Sequence, residues 1–379
     1  MGTRGVGLVV FVGPGLTSFE QLAAGAGRRG VATAWVGYPY PWLRRVRAHA
    51  FVPRVASASD VQGLTTQLRR LGSHRIVDIQ ASEYVLTDVV AAARAAGVTD
   101  ALLAELERRL RLSDKLVMSR RLAQRGVLVP PALDAIAHPA QEAVERLGTP
   151  LVVKGRVGNG GSSVRIVGSA AEAAAAALEV GVQGGAFYEQ YVEGETVSYS
   201  ASYLADGRVL HDAVYVTERI SARRTGPPDR IRTVAEPAVA AAGRRVVGAL
   251  GGAGLVNVNL ITDAAGRAWV HDVNLRPWGT LLALREAGVD FAADYLHVLG
   301  LAGRDPDAAE VVVGRTCDVF PSAALAVAEA HPVTGFTFFA GQLPRYAAWA
   351  GLGYVVAELA RTAAVVGRDR LRRGRSTRA

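Results

Sequence analysis

A chain of 379 residues, half of them hydrophobic, can bury more core than one small domain needs, and is read as a globular protein of two or three units. Its single cysteine, Cys317, excludes an intramolecular disulfide, and no Cys/His cluster has zinc-ligand spacing, which fits a reducing compartment such as the cytoplasm. The net charge of +9 suggests nucleic acid until it is located: the last nineteen residues hold seven arginines and one aspartate, +6 of the total, with no aromatic residues interleaved for base stacking, so no specific nucleic-acid partner is expected.

The opening stretch GTRGVGLVVFVGPG ends its apolar run in Gly-Pro-Gly and reads as a first strand rather than a signal peptide. Strands at GLVVFV, VATAWV and RIVDIQ, with helices over about 19–29 and 85–96, predict a parallel-sheet α/β domain over 1–112. A helix capped by Ser113, running to Gln124 and closed by Gly126, opens a second unit. A helix near 140–147, the strand PLVVK, a glycine-rich loop and the strand VRIVG follow. Ser169 and Glu172 then form a capping box at the head of an Ala-rich helix. The chain next turns strand-rich through AFYEQYVEG and TVSYSASYLADGRVLHDAVYVT, before a helix over 237–250 and a hairpin over 255–274. Further on, YAAWAGLGYVVAELARTAAVVG raises a membrane question. Glu358 and Arg361 in its middle favour a helix packed on the body or making peripheral membrane contact over a span, with packing the preferred reading. The Arg-rich tail from about 368 reads as solvated and disordered.

Rare residues point to chemistry. Two lysines, Lys115 and Lys154, stand against forty-one arginines, and the four asparagines are Asn159, Asn257, Asn259 and Asn274. In a composition so biased to Ala, Gly and Arg, the survivors mark places where a compact ammonium or a neutral amide is needed. Lys115 lies in the first turn of its helix, where the macrodipole disfavours a cation, so an anionic partner is expected. Lys154 ends an apolar strand and enters GRVGNGGSS, whose Gly155, Gly158, Gly160 and Gly161 let backbone N–H groups approach phosphate oxygens. The loop is not a Walker loop, because the lysine precedes the glycines.

In WVHDVNLRPWG, strand alternation puts Asp272, Asn274 and Arg276 on one face and His271, Val273 and Leu275 on the other. Register decides whether Asn257 and Asn259 join them. A two-residue Ala264-Ala265 loop places Asn257 and Asn259 on one face with Asp272 and Asn274, whereas a three-residue loop with a Gly266 bulge puts them on opposite faces. The first alternative makes an oxygen-rich site suited to Mg²⁺.

The order of these parts over residues 112–299 resembles the ATP-grasp superfamily of ligases. The motifs that carry it are SDKLVMSRRLAQRGVLVPP, PLVVKGRVGNGGSSVRIV, FYEQYVEG, GLVNVNLITDAAGRAWVHDVNLRPWG and LREAGVDFAADYL. The resemblance implies an α/β and α+β fold: a pre-ATP-grasp domain (1–112), a two-lobed ATP-grasp domain (113–300, lobes about 113–186 and 187–300) and a helical C-terminal segment (301–379). It implies that Lys115 and Lys154 contact the ATP phosphates beneath a flap of Gly158, Asn159, Gly160, Gly161 and Ser162, and that Glu189, Gln190, Tyr191 and Val192 read the adenine edge largely through backbone. Asn259, Asp272 and Asn274 would hold Mg²⁺ or Mn²⁺, and Arg276 would steady the transferring phosphoryl group. Asp272 stands where the family usually has Glu, and Thr196 takes the ribose-binding position, with Glu195 one residue early. Arg219 is the best candidate, among the arginines of TERISARRTGPPDRIR, to hold an anionic substrate. The implied reaction activates a small-molecule carboxylate as an acyl phosphate and joins it to an amine, in a protein for which a homodimer is compatible. A bicarbonate-using carboxylase and a catalytically weak nucleotide-binding regulator are the alternatives.

Overall fold

The computed structural model describes residues 7–13, 17–38, 42–158, 161, 163–182, 184–219, 228–301, 310–319 and individual positions between 341 and 360. β1 (Leu8–Val12), β2 (Ala32–Gly37), β3 (Arg54–Ser57) and β4 (Ile76–Ala81) form a parallel sheet in the order β3-β2-β1-β4. Every residue of β1 is buried, as a central parallel strand covered on both faces requires. Alternate side chains feed two different cores: Leu8, Val10 and Val12 pack with Leu64 and Val89, while Val9 and Phe11 pack with Phe19 and Trp35. The helices are α1 (Thr17–Arg28), α2 (Trp42–His49), α3 (Val61–Leu71) and α4 (Leu86–Ala96). α2, β3 and α3 add to the elements expected from the sequence.

α5 (Asp100–Ser113) and α6 (Lys115–Gln124) lead out of this unit. The N-cap of α6 is Asp114, not Ser113: the Asp114 carboxylate accepts from the backbone N–H of Leu116 at 3.0 Å and of Val117 at 3.1 Å. Ser113 instead closes α5, its hydroxyl donating to the Leu110 carbonyl. A carboxylate that reaches two free N–H groups outcompetes a hydroxyl next to it, and Lys115 thereby becomes the first residue of α6.

An antiparallel sheet follows, in the order β5-β8-β6-β7, from β5 (Ala132–Asp134), β6 (Leu151–Gly155), β7 (Val164–Val167) and β8 (Ala186–Gln190). α7 (Ala140–Leu147) and α8 (Ala170–Val180) cover it around Leu151, Val153, Ala173 and Tyr188. Ser169 caps α8 as read from the sequence, while Glu172 reaches back to the N–H of Gly168.

The third sheet has six strands, β13-β12-β9-β10-β11-β14. They are β9 (Glu195–Tyr203), β10 (Val209–Arg219), β11 (Arg230–Thr233), β12 (Gly254–Thr262), β13 (Ala268–Asn274) and β14 (Thr316–Asp318). One face packs under α9 (Pro237–Leu250) through Tyr199, Val214, Val246 and Val258. The other, with Ala213, Tyr215 and Leu255, shares a core with Trp278, Phe291 of α10 (Phe291–Val298) and the Val9–Phe11 face of the first sheet. That shared core holds the first sheet against the third, and the groove between them is where the polar residues converge.

Described positions of the apolar segment 344–357 are mostly helical and pack on the body: Val355 is buried in the shared core, and Arg28 donates to the Ala348 carbonyl at 3.3 Å. Among the described residues no helix is long and apolar enough to cross a membrane. Glu358, Arg361 and the tail from 368 lie outside the described residues.

Candidate functional site

The hairpin register combines the two alternatives left open by the sequence. The turn is the longer kind, with Gly266 at φ 73° and its N–H on the Asp263 carbonyl, so near the turn Leu260 pairs with Val270 and Thr262 with Ala268. Between Asn259 and Leu260 the register then shifts, leaving His271 as an extra residue in a β-bulge. Beyond the bulge Asn259 pairs with Asp272 and Asn257 with Asn274, which gives the same faces as the shorter turn but two residues further along, since that turn would set Asn257 opposite Asp272. A bulge also interrupts alternation, and His271, expected opposite Asp272, lines the same cleft.

The residues from three elements then meet. Lys115 Nζ donates to Asp272 Oδ1 at 2.6 Å. Asn259 Nδ2 and Asn274 Nδ2 donate to Asp272 Oδ2 at 3.3 and 3.0 Å, and Arg276 Nη2 donates to Asn274 Oδ1 at 3.3 Å. Lys154 Nζ donates to the bulge carbonyl of His271 at 2.9 Å and forms a buried ion pair with Glu189. Lys154 lies opposite Phe187 and Glu189 opposite Val152, so the pair is a diagonal one on one face of β6 and β8. Arg276 Nε donates to Glu83 Oε1, just past β4, at 2.6 Å. Asn257 is turned away into a buried network with Ser200 and Tyr215.

Each cation therefore has its own carboxylate: Lys115 with Asp272, Lys154 with Glu189, Arg276 with Glu83. Burial works against the charge of Lys115, but Asp272 outweighs it and raises the ammonium's pKa. Burial would likewise raise Asp272, yet the charge and hydrogen bond of Lys115 hold its carboxyl well below the usual range. Burial pushes Glu189 up, Lys154 offsets this only partly, and neighbouring Asp272 adds to the rise. Burial and the charge of Lys154 push His271 down to about 3, so its imidazole is neutral.

Two clefts meet at this cluster and share Lys115 and Asp272 in their walls. The first, about 520 Å³, lies among Gln80, Glu83, Arg109, Gly158, Asn274 and Arg276. The second, about 350 Å³, is an apolar slot between Met118, Leu122, Val129, Phe187 and Val270, with Glu189 and His271 as polar wall. Lys115 is set by its surroundings: its N–H donates to the Arg156 carbonyl, and the Arg156 guanidinium pairs with the cap Asp114 at 2.6 Å. A Cβ at Gly158 would meet Ser163 Oγ at 2.1 Å, so any side chain there would displace Ser163. Gly161 has φ 73°, a left-handed turn position. Asn159, Gly160 and Ser162 lie outside the described residues.

Other expected site residues fall elsewhere. Arg219, at the end of β10, is 3.9 Å from Asp229 and lies in the wall of neither cleft, because β10 is two strands removed from β12. Arg223 and Arg224 lie outside the described residues, and Arg230 and Arg232 pair with Asp318 and Glu218. Glu195 is exposed, opposite Thr262 and three positions along the ladder from Asn259. Gln190 and Tyr191 are exposed and Val192 half-buried at the end of β8, whereas Glu189 contributes its side chain and not only its backbone. Sequence reading missed Glu83, Arg156 and His271. Asp114, an N-cap residue type directly before a helical lysine, was the one readable signal.

A search of protein families matches residues 112–280 to the ATP-grasp domain. A D-alanine–D-alanine ligase of Gloeobacter violaceus is 32% identical over 206 residues, which span 47% of this chain and 65% of that ligase. In fold, the chain is similar to an L-amino acid ligase of Bacillus licheniformis (TM-score 0.59, 18% identity, 77% of this chain and 74% of that one). It is also similar to the N5-carboxyaminoimidazole synthetase of Staphylococcus aureus (TM-score 0.60, 15% identity, 81% and 80%). The family match covers residues 112–280, under half of the chain, and the chain spans less than two thirds of the length of the D-alanine–D-alanine ligase it matches.

Proposed function

We propose that this protein is an ADP-forming ligase that activates a small-molecule carboxylate with ATP and joins it to an amine. The observation that carries this is the junction of two clefts at Lys115 and Asp272. A nucleotide lying in the apolar slot delivers its terminal phosphate to that junction, and the substrates occupy the larger cleft beyond it. The ligase and ATP- or ADP-bound proteins it resembles support the same reading.

The residues fit a Mg²⁺ or Mn²⁺ ion that arrives with the triphosphate. Among the described residues no group of three or more His, Cys, Asp or Glu could hold a metal alone, but Asp272 would supply a carboxylate, and Asn259 and Asn274 would complete a partial oxygen shell by turning towards the ion the amide oxygens that accept from Ser198 and Arg276, with phosphate oxygens and water filling the rest. When bound, such an ion screens phosphate charge and polarises the phosphoryl group.

The chain's own groups do the rest. Lys115 and Lys154 exchange their carboxylate partners for phosphate oxygens, and Arg276 places a guanidinium where charge grows on the transferring group. The substrate carboxylate oxygen attacks the γ-phosphorus, the bond to the bridging oxygen breaks, and ADP leaves. The amine then attacks the acyl phosphate carbon, phosphate departs with the bonding pair, and the amine gives up a proton. The larger cleft has groups suited to both substrates: the Arg276 guanidinium for the acid, and Glu83 Oε2, which has no hydrogen-bond partner, for the ammonium end of the amine, while Arg109 in its wall is held by Asp78 and Glu105. No side-chain nucleophile is required, because positioning and charge neutralisation supply the catalysis.

The test is ADP release across a panel of carboxylates paired with amines, with Arg276→Ala and Asp272→Ala as controls. Release that needs both substrates and falls at least about a hundredfold in each variant supports the reading. Full turnover in both variants removes these residues from the site, and release that needs bicarbonate alone replaces the ligase with a carboxylase.

A further inference from the structure

The apolar slot contains one polar side chain that its fold does not satisfy. Glu189 is committed to Lys154, but the His271 ring nitrogen Nε2 is enclosed and has no hydrogen-bond partner. The ring is there because of the bulge, which adds His271 to the strand and brings it into the same wall as Asp272. Its carbonyl is held by Lys154, so the backbone that aims the ring is anchored.

Around the ring the slot is walled by Met118, Leu122, Val129, Phe187 and Val270, and Lys115 stands at the end shared with the larger cleft. A flat heteroaromatic group attached to an anionic tail matches that arrangement: the ring lies between aliphatic and aromatic walls, and the charge reaches the ammonium group. An enclosed nitrogen without a partner carries a desolvation cost, which a ligand edge of complementary polarity would recover.

We propose that His271 recognises the nucleobase, hydrogen-bonding the edge of the purine that occupies the slot. This rests on the nucleotide reading given above and adds to it a specificity-determining residue. An imidazole presents a donor at one nitrogen and an acceptor at the other, so it orients a base by its edge, while the walls supply only area.

The experiment compares binding of ATP and of inorganic tripolyphosphate by calorimetry, in the full-length chain and in His271→Leu and His271→Gln. His271→Leu is expected to weaken ATP about tenfold, equivalent to about 1.4 kcal/mol, and to leave tripolyphosphate within about twofold. His271→Gln, whose amide reaches the place of the ring nitrogen, is expected to restore ATP affinity to within about threefold of the parent. Equal weakening of both ligands would make His271 a structural support for Lys154 and overturn the proposal, as would undiminished ATP binding in His271→Leu. If the leucine variant does not fold, His271→Gln against His271→Ala carries the same comparison. A parent protein that binds tripolyphosphate as tightly as ATP would remove the nucleotide reading itself, a result separable from the others because it needs no variant.

Discussion

Replacing Lys154 by Met tests the buried electrostatics independently of catalysis. Methionine keeps the length and apolar stem but removes the ammonium, leaving Glu189, 4% exposed, as an unpaired carboxylate and the His271 carbonyl without its donor. Breaking a buried pair from one side costs about 3–5 kcal/mol, because the remaining charge stays desolvated. Glu189 can escape part of that cost by taking up a proton, which burial already favours in the parent protein. The sign follows from linkage: the folded variant binds a proton that the unfolded chain releases near pH 4.3, so stability is largest at low pH and declines as pH rises from there towards the folded value. The slope approaches about 1.4 kcal/mol per pH unit. Guanidinium unfolding at pH 5.5 and 7.5 should therefore show a smaller loss at the lower pH. Lys154→Met/Glu189→Gln should recover about 2 kcal/mol or more of the single-variant loss at pH 7.5. A loss under about 1 kcal/mol at pH 7.5, or one equal at both pH values and unrelieved by Glu189→Gln, would show that the pair is not desolvated as its burial indicates.

Two further outcomes follow from neighbouring features. In α9, Gly243→Ala should lower the melting temperature despite alanine's better helix propensity, because its Cβ would lie 2.3 Å from the Tyr199 ring; Gly248→Ala, with nothing within 4 Å, should raise stability by about 0.5–1 kcal/mol in the same melts. Because Lys115 and two amides occupy both oxygens of Asp272, Mn²⁺ followed by electron paramagnetic resonance should bind the nucleotide-free protein at least about tenfold more weakly than in the presence of ATP; in Lys115→Met the metal alone should bind more tightly and ATP less, and equal affinity with and without ATP would refute the coupling.

Much of this architecture was legible from residue patterns. The helices over Ala140–Leu147 and Pro237–Leu250 fall where the sequence pattern placed them, and the alternation of strands and helices over the first hundred residues announced a parallel sheet. The scarcity of lysine singled out two side chains that the fold brings to opposite sides of the Asp272–His271 step, from helices and strands far apart in the chain. What was hidden depended on distance along the chain. Glu83 meets Arg276 across 193 residues, and nothing local marks it. Arg219 looked suitable because it follows a strand, but which strands separate it from Asn259 is a matter of sheet order, which local sequence does not encode. The turn alone does not decide the hairpin register, because a second one-residue shift, in the strand, restores the facing that the longer turn reverses.

That compensation ties an exposed turn to buried chemistry some distance away. The one-residue shift of the longer turn and the one-residue shift at His271 add to two, a full strand period, so together they return Asn257 and Asn259 to the face of Asp272 and Asn274. A change of loop length that slips the hairpin by one residue turns Asn259 away from Asp272 and moves the carbonyl that Lys154 holds. Grafted or shuffled loops at 263–267 should therefore be matched in length before they are matched in composition.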